Sequence, residues 1–248
     1  MLEQGVFLFI LVGFFAQLID GALGMAYGVS SNTVLLTLGV PPALASASVH
    51  MAEVFTTGVS GFSHWRLKNV DWHLIKRLMI PGVLGGITGA YLLTSIDGTI
   101  IKPYISTYLL VMGLIILWKA FHRNHEERKI TTHLIPLGLI GGFFDAIGGG
   151  GWGPVVTTTL VARGNTPRYT IGSVNLSEFF VTFTESVTFL LTIGLGNWQI
   201  VLGLLIGGVI AAPLGAWAAS RIPTRFLMSL VGVLIVILSI RTILLSLA

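Results

Sequence analysis

Adding 125 to the residue numbers from Asp20 to Thr57 lands on Asp145 to Thr182 without a gap. Identical pairs along the way are Asp20/Asp145, Gly24/Gly149, Gly28/Gly153, Leu35/Leu160, Gly39/Gly164, Pro42/Pro167, Ser48/Ser173, Val49/Val174, Glu53/Glu178, Phe55/Phe180 and Thr57/Thr182. Tyr27 matches Trp152, aromatic for aromatic. With one residue inserted, Trp72 matches Trp198, and Gly89-Ala90-Tyr91 matches Gly215-Ala216-Trp217. Acids are rare in this chain, yet two pairs fall in register inside apolar runs. A chain made of two copies of one unit must fold as two related halves.

The solvent of those halves follows from composition. Across 248 residues, 54% are hydrophobic, 10% are charged and mean hydropathy is +0.88, which describes a polytopic membrane protein embedded in a lipid bilayer. A net charge of +4 and a pI near 9.6 would suit nucleic acid. Here the basic residues occupy short loops between apolar runs, so they report orientation, and no nucleic acid is expected. The chain has no cysteine, so disulfides and thiolate ligands are excluded. Met1-Leu2-Glu3-Gln4 lacks the basic n-region of a signal peptide and reads as the start of a retained span. Residues 1–121 form a first membrane repeat, 122–133 a cytoplasmic linker loop and 134–248 a second repeat. Nothing in the pattern fixes the oligomeric state.

Each copy opens with an interrupted apolar run. The run from Leu134 breaks at Asp145-Ala146-Ile147-Gly148-Gly149-Gly150-Gly151-Trp152-Gly153, and its mate breaks from Asp20 to Gly28. Four consecutive glycines have almost no helix propensity, so the arriving helix should unwind there. Unwound backbone at membrane depth survives only inside protein or against a water-filled cavity. Pro154 suits the first turn of a new helix, whose free N–H groups would point back at the break and favour an anion. Close helix packing is the competing use of glycine in a membrane, and a run of four goes beyond it.

Loop charge sets the orientation of the halves. If each interrupted element crosses once, Arg66, Lys68, Lys76, Arg77, Lys119, Arg123, Arg128, Lys129 and Arg241 lie inside, and Lys102, Arg163, Arg168, Arg221 and Arg225 outside. If each returns to the side it came from, only Lys102 and Arg241 lie outside. The positive-inside rule prefers the second arrangement. The expected fold is therefore all-α, with two inverted repeats, each a broken or re-entrant helical segment plus three spans. That makes roughly eight spans plus hairpins, or about ten short and long spans.

Five acids lie within apolar runs: Asp20, Glu53, Asp145, Glu178 and Glu185. Placing charge there costs about 2.5–3.5 kcal/mol, which marks them as candidates for proton coupling. Ser46, His50, Glu53 and Thr57 form one polar stripe at helical spacing, and Asn175, Glu178, Thr182 and Glu185 another. His50 and Asn175 are matched donors for an oxyanion, with Glu53 expected beside His50 and Glu178 as the proton carrier. The substrate-binding set is Gly24, Tyr27, His50, Gly149, Gly150, Gly151, Trp152, Ser173 and Asn175, and bulk at Gly150 is expected to fill the anion's space. No catalytic residue, metal or cofactor is expected, because no second buried histidine completes a ligand set.

The paired motifs Asp20–Gly28 and Asp145–Gly153, with the run Gly149-Gly150-Gly151-Trp152-Gly153-Pro154 and the Pro-led second span of each half, resemble those of the TauE/SafE family of membrane permeases. The likeness runs through essentially the whole chain. It implies export of a small sulfur-containing oxyanion, such as sulfite, sulfoacetate or a related organosulfonate, across the cytoplasmic (inner) membrane of a prokaryote. The first copy, Gly21 to Gly28, departs from the glycine run, so the halves need not share substrate contacts equally. Two other readings stand beside this one. An intramembrane aspartyl protease would use Asp20 and Asp145 as a dyad, and an anion channel would use the same inverted halves without alternating access.

Overall fold

The computed structural model describes residues 3–23, 25–121, 132–163, 165–194, 196–221 and 223–247. All of its regular elements are helical: α1 (Glu3–Leu23), α2 (Tyr27–Thr37), α3 (Pro42–Arg66), α4 (Trp72–Ser95), α5 (Gly98–Phe121), α6 (Leu134–Gly148), α7 (Thr158–Ala162), α8 (Pro167–Ile193), α9 (Trp198–Arg221) and α10 (Thr224–Leu247). A π turn over Gly153–Thr157 runs directly into α7, so the two make one helix. Most of the expected linker, residues 122–131, lies outside the described residues, as does Gly24.

Local chemistry sets the helix ends. Pro42 and Pro167 occupy first-turn positions, where a missing N–H costs nothing. The Asp71 carboxylate caps α4 by accepting from the His73 amide at 2.9 Å, and Asp97 accepts from the Thr99 amide at 2.8 Å near the start of α5. Among the described residues four helices are long and apolar enough to cross a membrane: Trp72–Ser95, Gly98–Phe121, Tyr169–Ile193 and Met228–Ser246. The polarity is inside out relative to a water-soluble fold. Phe7, Val59, Tyr104 and Leu191 are exposed, whereas Ser31, Asn32, His50, Asp145, Thr182 and Glu185 are buried.

Packing shows how the copies are related. α3 lies along α8 so that His50 meets Glu185, Gly58 meets Phe179 and Gly61 meets Leu176. As one number rises the other falls, so the matched helices are antiparallel. α5 and α10, also matched, pack with Gly113 on Ile235 and Leu117 on Gly232, again antiparallel. Two copies with four single crossings each would put matched helices parallel. Antiparallel mates require the inverted arrangement, with a pseudo-twofold axis in the membrane plane.

The hairpins follow the same logic. Arg163, just past α7, donates from Nη1 to the Thr132 carbonyl at 3.3 Å, just before α6. The second interrupted element thus returns to the side where it began. The halves also interleave, because α1 packs chiefly on α9 and α6 chiefly on α4. A Cβ on Gly13 would strike the Leu204 backbone, and one on Gly138 the Leu78 backbone, which are equivalent contacts under the repeat. Small residues bring these helices into backbone contact, where packing replaces the hydrophobic drive that lipid cannot supply.

Candidate functional site

The two breaks meet at the centre of the molecule. Gly28, at the start of α2, lies against the backbone of Gly149 and Gly150, leaving no room for a Cβ on either side. Gly149 and Gly150 have φ of 66° and 140°, conformations that glycine adopts without steric cost. In the first break the left-handed position is held by Ala26, at φ 93°. A side chain at Gly150 would therefore collide with the partner break, so the reason for glycine there differs from the expected one of leaving space for an anion.

Asp145 closes the second break on itself. Its Oδ1 accepts from the amides of Gly151 at 2.6 Å and Trp152 at 2.9 Å, the leading N–H groups of the following helix. Its own carbonyl accepts from Gly150 at 3.0 Å. The amides expected to await a substrate thus already hold a carboxylate, because the acid ends the preceding helix within reach of them. Asp20 makes the equivalent contact in the first break, accepting from the Tyr27 amide at 3.4 Å.

Three side chains from three helices converge beside that cap. His50 Nε2 lies 2.8 Å from Glu185 Oε2 and 3.7 Å from Asp145 Oδ2, and all three residues are buried. His50 Nδ1 donates to the Ser46 carbonyl at 2.7 Å, and Ser46 Oγ donates to the Ala146 carbonyl at 2.5 Å. With Nδ1 committed as a donor, only Nε2 faces the carboxylates. A bare lone pair against a carboxylate oxygen at 2.8 Å would be repulsive, so that contact contains a proton, shared between His50 and Glu185. The three ligand atoms lie within 4.8 Å of one another, close enough to suggest a metal. Tetrahedral ligands at about 2.0–2.1 Å from zinc sit ~3.3 Å apart, so a 2.8 Å contact fits a proton better.

The pseudo-twofold explains a second pair farther along the same two helices. Adding 125 to His50 gives Asn175, and subtracting it from Glu185 gives Ser60. Asn175 Nδ2 donates to Ser60 Oγ at 2.8 Å. The same contact is thus built twice, once charged and once neutral.

The other candidates divide. Trp152 is buried and donates from Nε1 to the Val174 carbonyl at 3.2 Å, and the Tyr27 hydroxyl donates to the Leu204 carbonyl at 3.3 Å. Both aromatics tie their half-helices to a neighbouring span. Ser173 accepts from the Asp71 amide at 2.7 Å, at the mouth of α8 and away from the breaks. Glu53 is buried and Glu178 half-buried, and both lie within electrostatic reach of Asp20, Asp145 and Glu185. His50 takes Glu185, not Glu53, because the antiparallel crossing of α3 and α8 brings the later acid level with it. Sequence reading passed over Tyr108 and Asn32. Asn32 Nδ2 donates to the Gly148 carbonyl at 2.5 Å, and the buried Tyr108 hydroxyl has no hydrogen-bond partner. Their signal was a polar group in an apolar run, with Leu234 and Thr157 at the matched positions.

A cavity of about 470 Å³, lined by Asp71, Trp72, Asn165 and Tyr169, opens at the end of the molecule where the second hairpin begins and ends. It lies apart from the buried triad.

Comparisons with known proteins agree with this architecture. The sulfite exporter TauE/SafE family model matches residues 9–242. A probable membrane transporter protein of Bacillus subtilis (strain 168), YtnM, is 44% identical over 244 residues, covering 94% of this chain and 81% of its own length. A probable membrane transporter protein of Haemophilus influenzae is 27% identical over 211 residues, covering 83% of this chain and 81% of its own. YjnA of Bacillus subtilis, also a probable membrane transporter protein, is 22% identical over 243 residues, covering 89% and 94%. No solved structure is a significant match. The inverted repeats, the paired breaks and a family match along nearly the whole length agree, and the chain belongs to the sulfite exporter TauE/SafE family of membrane transporters.

Proposed function

We propose that this protein is a secondary transporter that exports a small sulfur-containing oxyanion, such as sulfite, sulfoacetate or a related organosulfonate. The membrane is the cytoplasmic (inner) membrane of a prokaryote, and transport is linked to protons through the buried acids. The observation that carries the reading is the meeting of two carboxylate-capped helix breaks at the pseudo-twofold, with His50 and Glu185 beside the second cap. Helix N-termini inside an inverted repeat are where secondary transporters hold anionic groups. The family's described activity, sulfite export, supplies the substrate class.

Charge bias supports placing the termini and the Gly39–Pro42 turn outside, with 64–68, the 122–133 linker and 163–168 inside. The aspartyl protease reading fits less well. A dyad needs its two carboxyl groups on one proton, whereas Asp20 and Asp145 each cap a half-helix of their own.

Proteoliposomes loaded separately with sulfite, sulfoacetate, taurine and sulfate test the proposal. Efflux of sulfite or sulfoacetate should saturate with concentration and respond to an imposed pH gradient. Efflux that rises linearly with concentration and ignores the gradient would favour the channel. Failure to move any of the four would remove the substrate class.

A further inference from the structure

The second break holds two amide donors beside a buried phenol hydroxyl and a shared proton, and its own carboxylate occupies only part of that set. We propose that Asp145 is the resting occupant of an oxyanion seat, and that the substrate enters by displacing it toward the proton shared by His50 and Glu185. This rests on the transporter reading and adds to it the place of binding and the route of coupling.

The seat is defined by atoms already in position. Gly151 N and Trp152 N stand 2.6 and 2.9 Å from Asp145 Oδ1, at the head of the continuous helical segment running from Gly153 to Ala162. One carboxylate oxygen takes both donors. The other, Oδ2, is buried without a hydrogen-bond partner and faces His50 Nε2 at 3.7 Å. The Tyr108 hydroxyl is likewise buried and unpartnered, and it is the atom a Cβ on Gly151 would meet first. The Tyr108 ring is fixed by stacking on Phe144 at 5.1 Å. Glycine at 151 thus lets a phenol O–H stand against the residue that supplies the first amide, a third donor that the Asp145 carboxylate leaves unengaged. A carboxylate tethered at Asp145 satisfies two of the three. Sulfite and sulfonates carry three oxygens, enough for all three.

Charge explains why displacement needs a proton. The seat lies within electrostatic reach of Glu53 on α3, Glu178 and Glu185 on α8, and Tyr108 on α5, and Asp20 on α1 reaches Glu53 and Glu178 in turn. Across the face of α4 packed on α6, Gly82, Gly85 and Gly89 add no charge. A second anion among so many acids is repelled unless the displaced carboxylate is neutralised. Asp145 Oδ2 already faces the one imidazole in the cluster, so the displaced carboxyl can share the His50–Glu185 proton while a further proton enters. Binding one anion then takes up about one proton, and anion and proton assist each other reciprocally. The first break lacks this device, because Asn175 and Ser60 stand where His50 and Glu185 stand in the second.

Two variants of the purified full-length chain test this. Asp145→Ala should leave the seat vacant, so formate should raise its melting temperature and leave the parent unchanged. Asp145→Asn keeps a neutral cap, and a neutral hydrogen bond is roughly half as strong as a charged one. Its sulfite affinity should therefore rise about tenfold. Proton uptake per sulfite bound, from calorimetry in two buffers of different ionisation heat, should fall from about one toward zero. Tyr108→Phe in the parent should weaken sulfite about tenfold, the loss of one buried donor. No formate effect on Asp145→Ala, or weaker sulfite binding by Asp145→Asn, would overturn the seat. If Asp145→Ala does not fold, the Asp145→Asn affinity decides. If the parent binds neither sulfite nor sulfoacetate while formate still stabilises Asp145→Ala, the seat stands and the substrate reading fails.

Discussion

The protein contains its own control for the His50–Glu185 contact. Converting the charged pair into its neutral mate takes two substitutions, His50→Asn and Glu185→Ser, and that pair already exists in the fold at Asn175–Ser60 with a 2.8 Å hydrogen bond. His50→Asn alone leaves Asp145 and Glu185 buried and facing each other without a cation, a loss of about 3–5 kcal/mol for breaking a buried pair. Glu185→Ser alone leaves His50 with Asp145 at 3.7 Å and should cost less, about 1–3 kcal/mol. If the two were independent, the double variant would lose their sum. Because it rebuilds a contact the other half uses, it should lose less than the sum by about 2–3 kcal/mol, near the upper end for residues in contact. Unfolding of all four proteins by SDS titration in mixed micelles gives the cycle directly. Losses that add to within about 0.5 kcal/mol would show that the pair is not a structural unit and would refute the pseudo-twofold argument.

Further outcomes follow from the backbone contacts. Gly150→Ala should cost several kcal/mol and lower folded yield, since its Cβ meets the Gly28 backbone at φ 140°, whereas Gly39→Ala, at φ 87° with nothing near, should cost only about 1–2 kcal/mol in thermal melts. Gly13→Val and Gly138→Val should destabilise by similar amounts, because both push matched helices off a carbonyl; a tenfold difference in their unfolding constants would break the equivalence. Single cysteines in the cysteine-free chain should label from outside at 39–42 and 248 and from inside at 64–68 and 163–168. An inside position for 248 would defeat the inverted arrangement and restore eight single spans.

The sequence carried the frame and the breaks but not the partners across the site. Identical pairs running from Asp20/Asp145 to Thr57/Thr182 made the duplication legible, and the loop charges favoured inversion before any helix was placed. The antiparallel run of α3 along α8 then agrees with it. Glycines 148–151 announced an unwound segment, yet the reason each is glycine came from what it touches: Tyr108 at 148 and 151, Asn32 at 149, Gly28 at 150. None of these neighbours lies within a hundred residues in the chain except Tyr108, so no local pattern reveals them. Composition likewise could not say that the helix-end amides are already occupied, because that depends on Asp145 ending α6 at a particular rotation.

The symmetry also supplies a rule that reaches the site. Where residue i of α3 meets residue j of α8, the twofold requires that i plus 125 meet j minus 125. Gly58 against Phe179 then implies Phe183 against Val54, and Gly61 against Leu176 implies Ser186 against Met51; all four of those implied residues line one shared groove. The same rule turns His50–Glu185 into Asn175–Ser60, and both contacts are present. Applied to the sequence with the crossing point known, it would have paired His50 with Glu185 instead of Glu53, since Glu53 lies one turn farther along the same helix and pairs level with a different part of α8. The departures from the rule are then the informative positions. Packing tolerates Asn175 and Ser60 without charge, so packing alone does not require a buried histidine and acid at the mate. What distinguishes the charged copy is its neighbour Asp145, which grips two amides at 2.6 and 2.9 Å, whereas Asp20 meets the Tyr27 amide at 3.4 Å. The half with the stronger carboxylate cap is the half that holds the proton able to neutralise it.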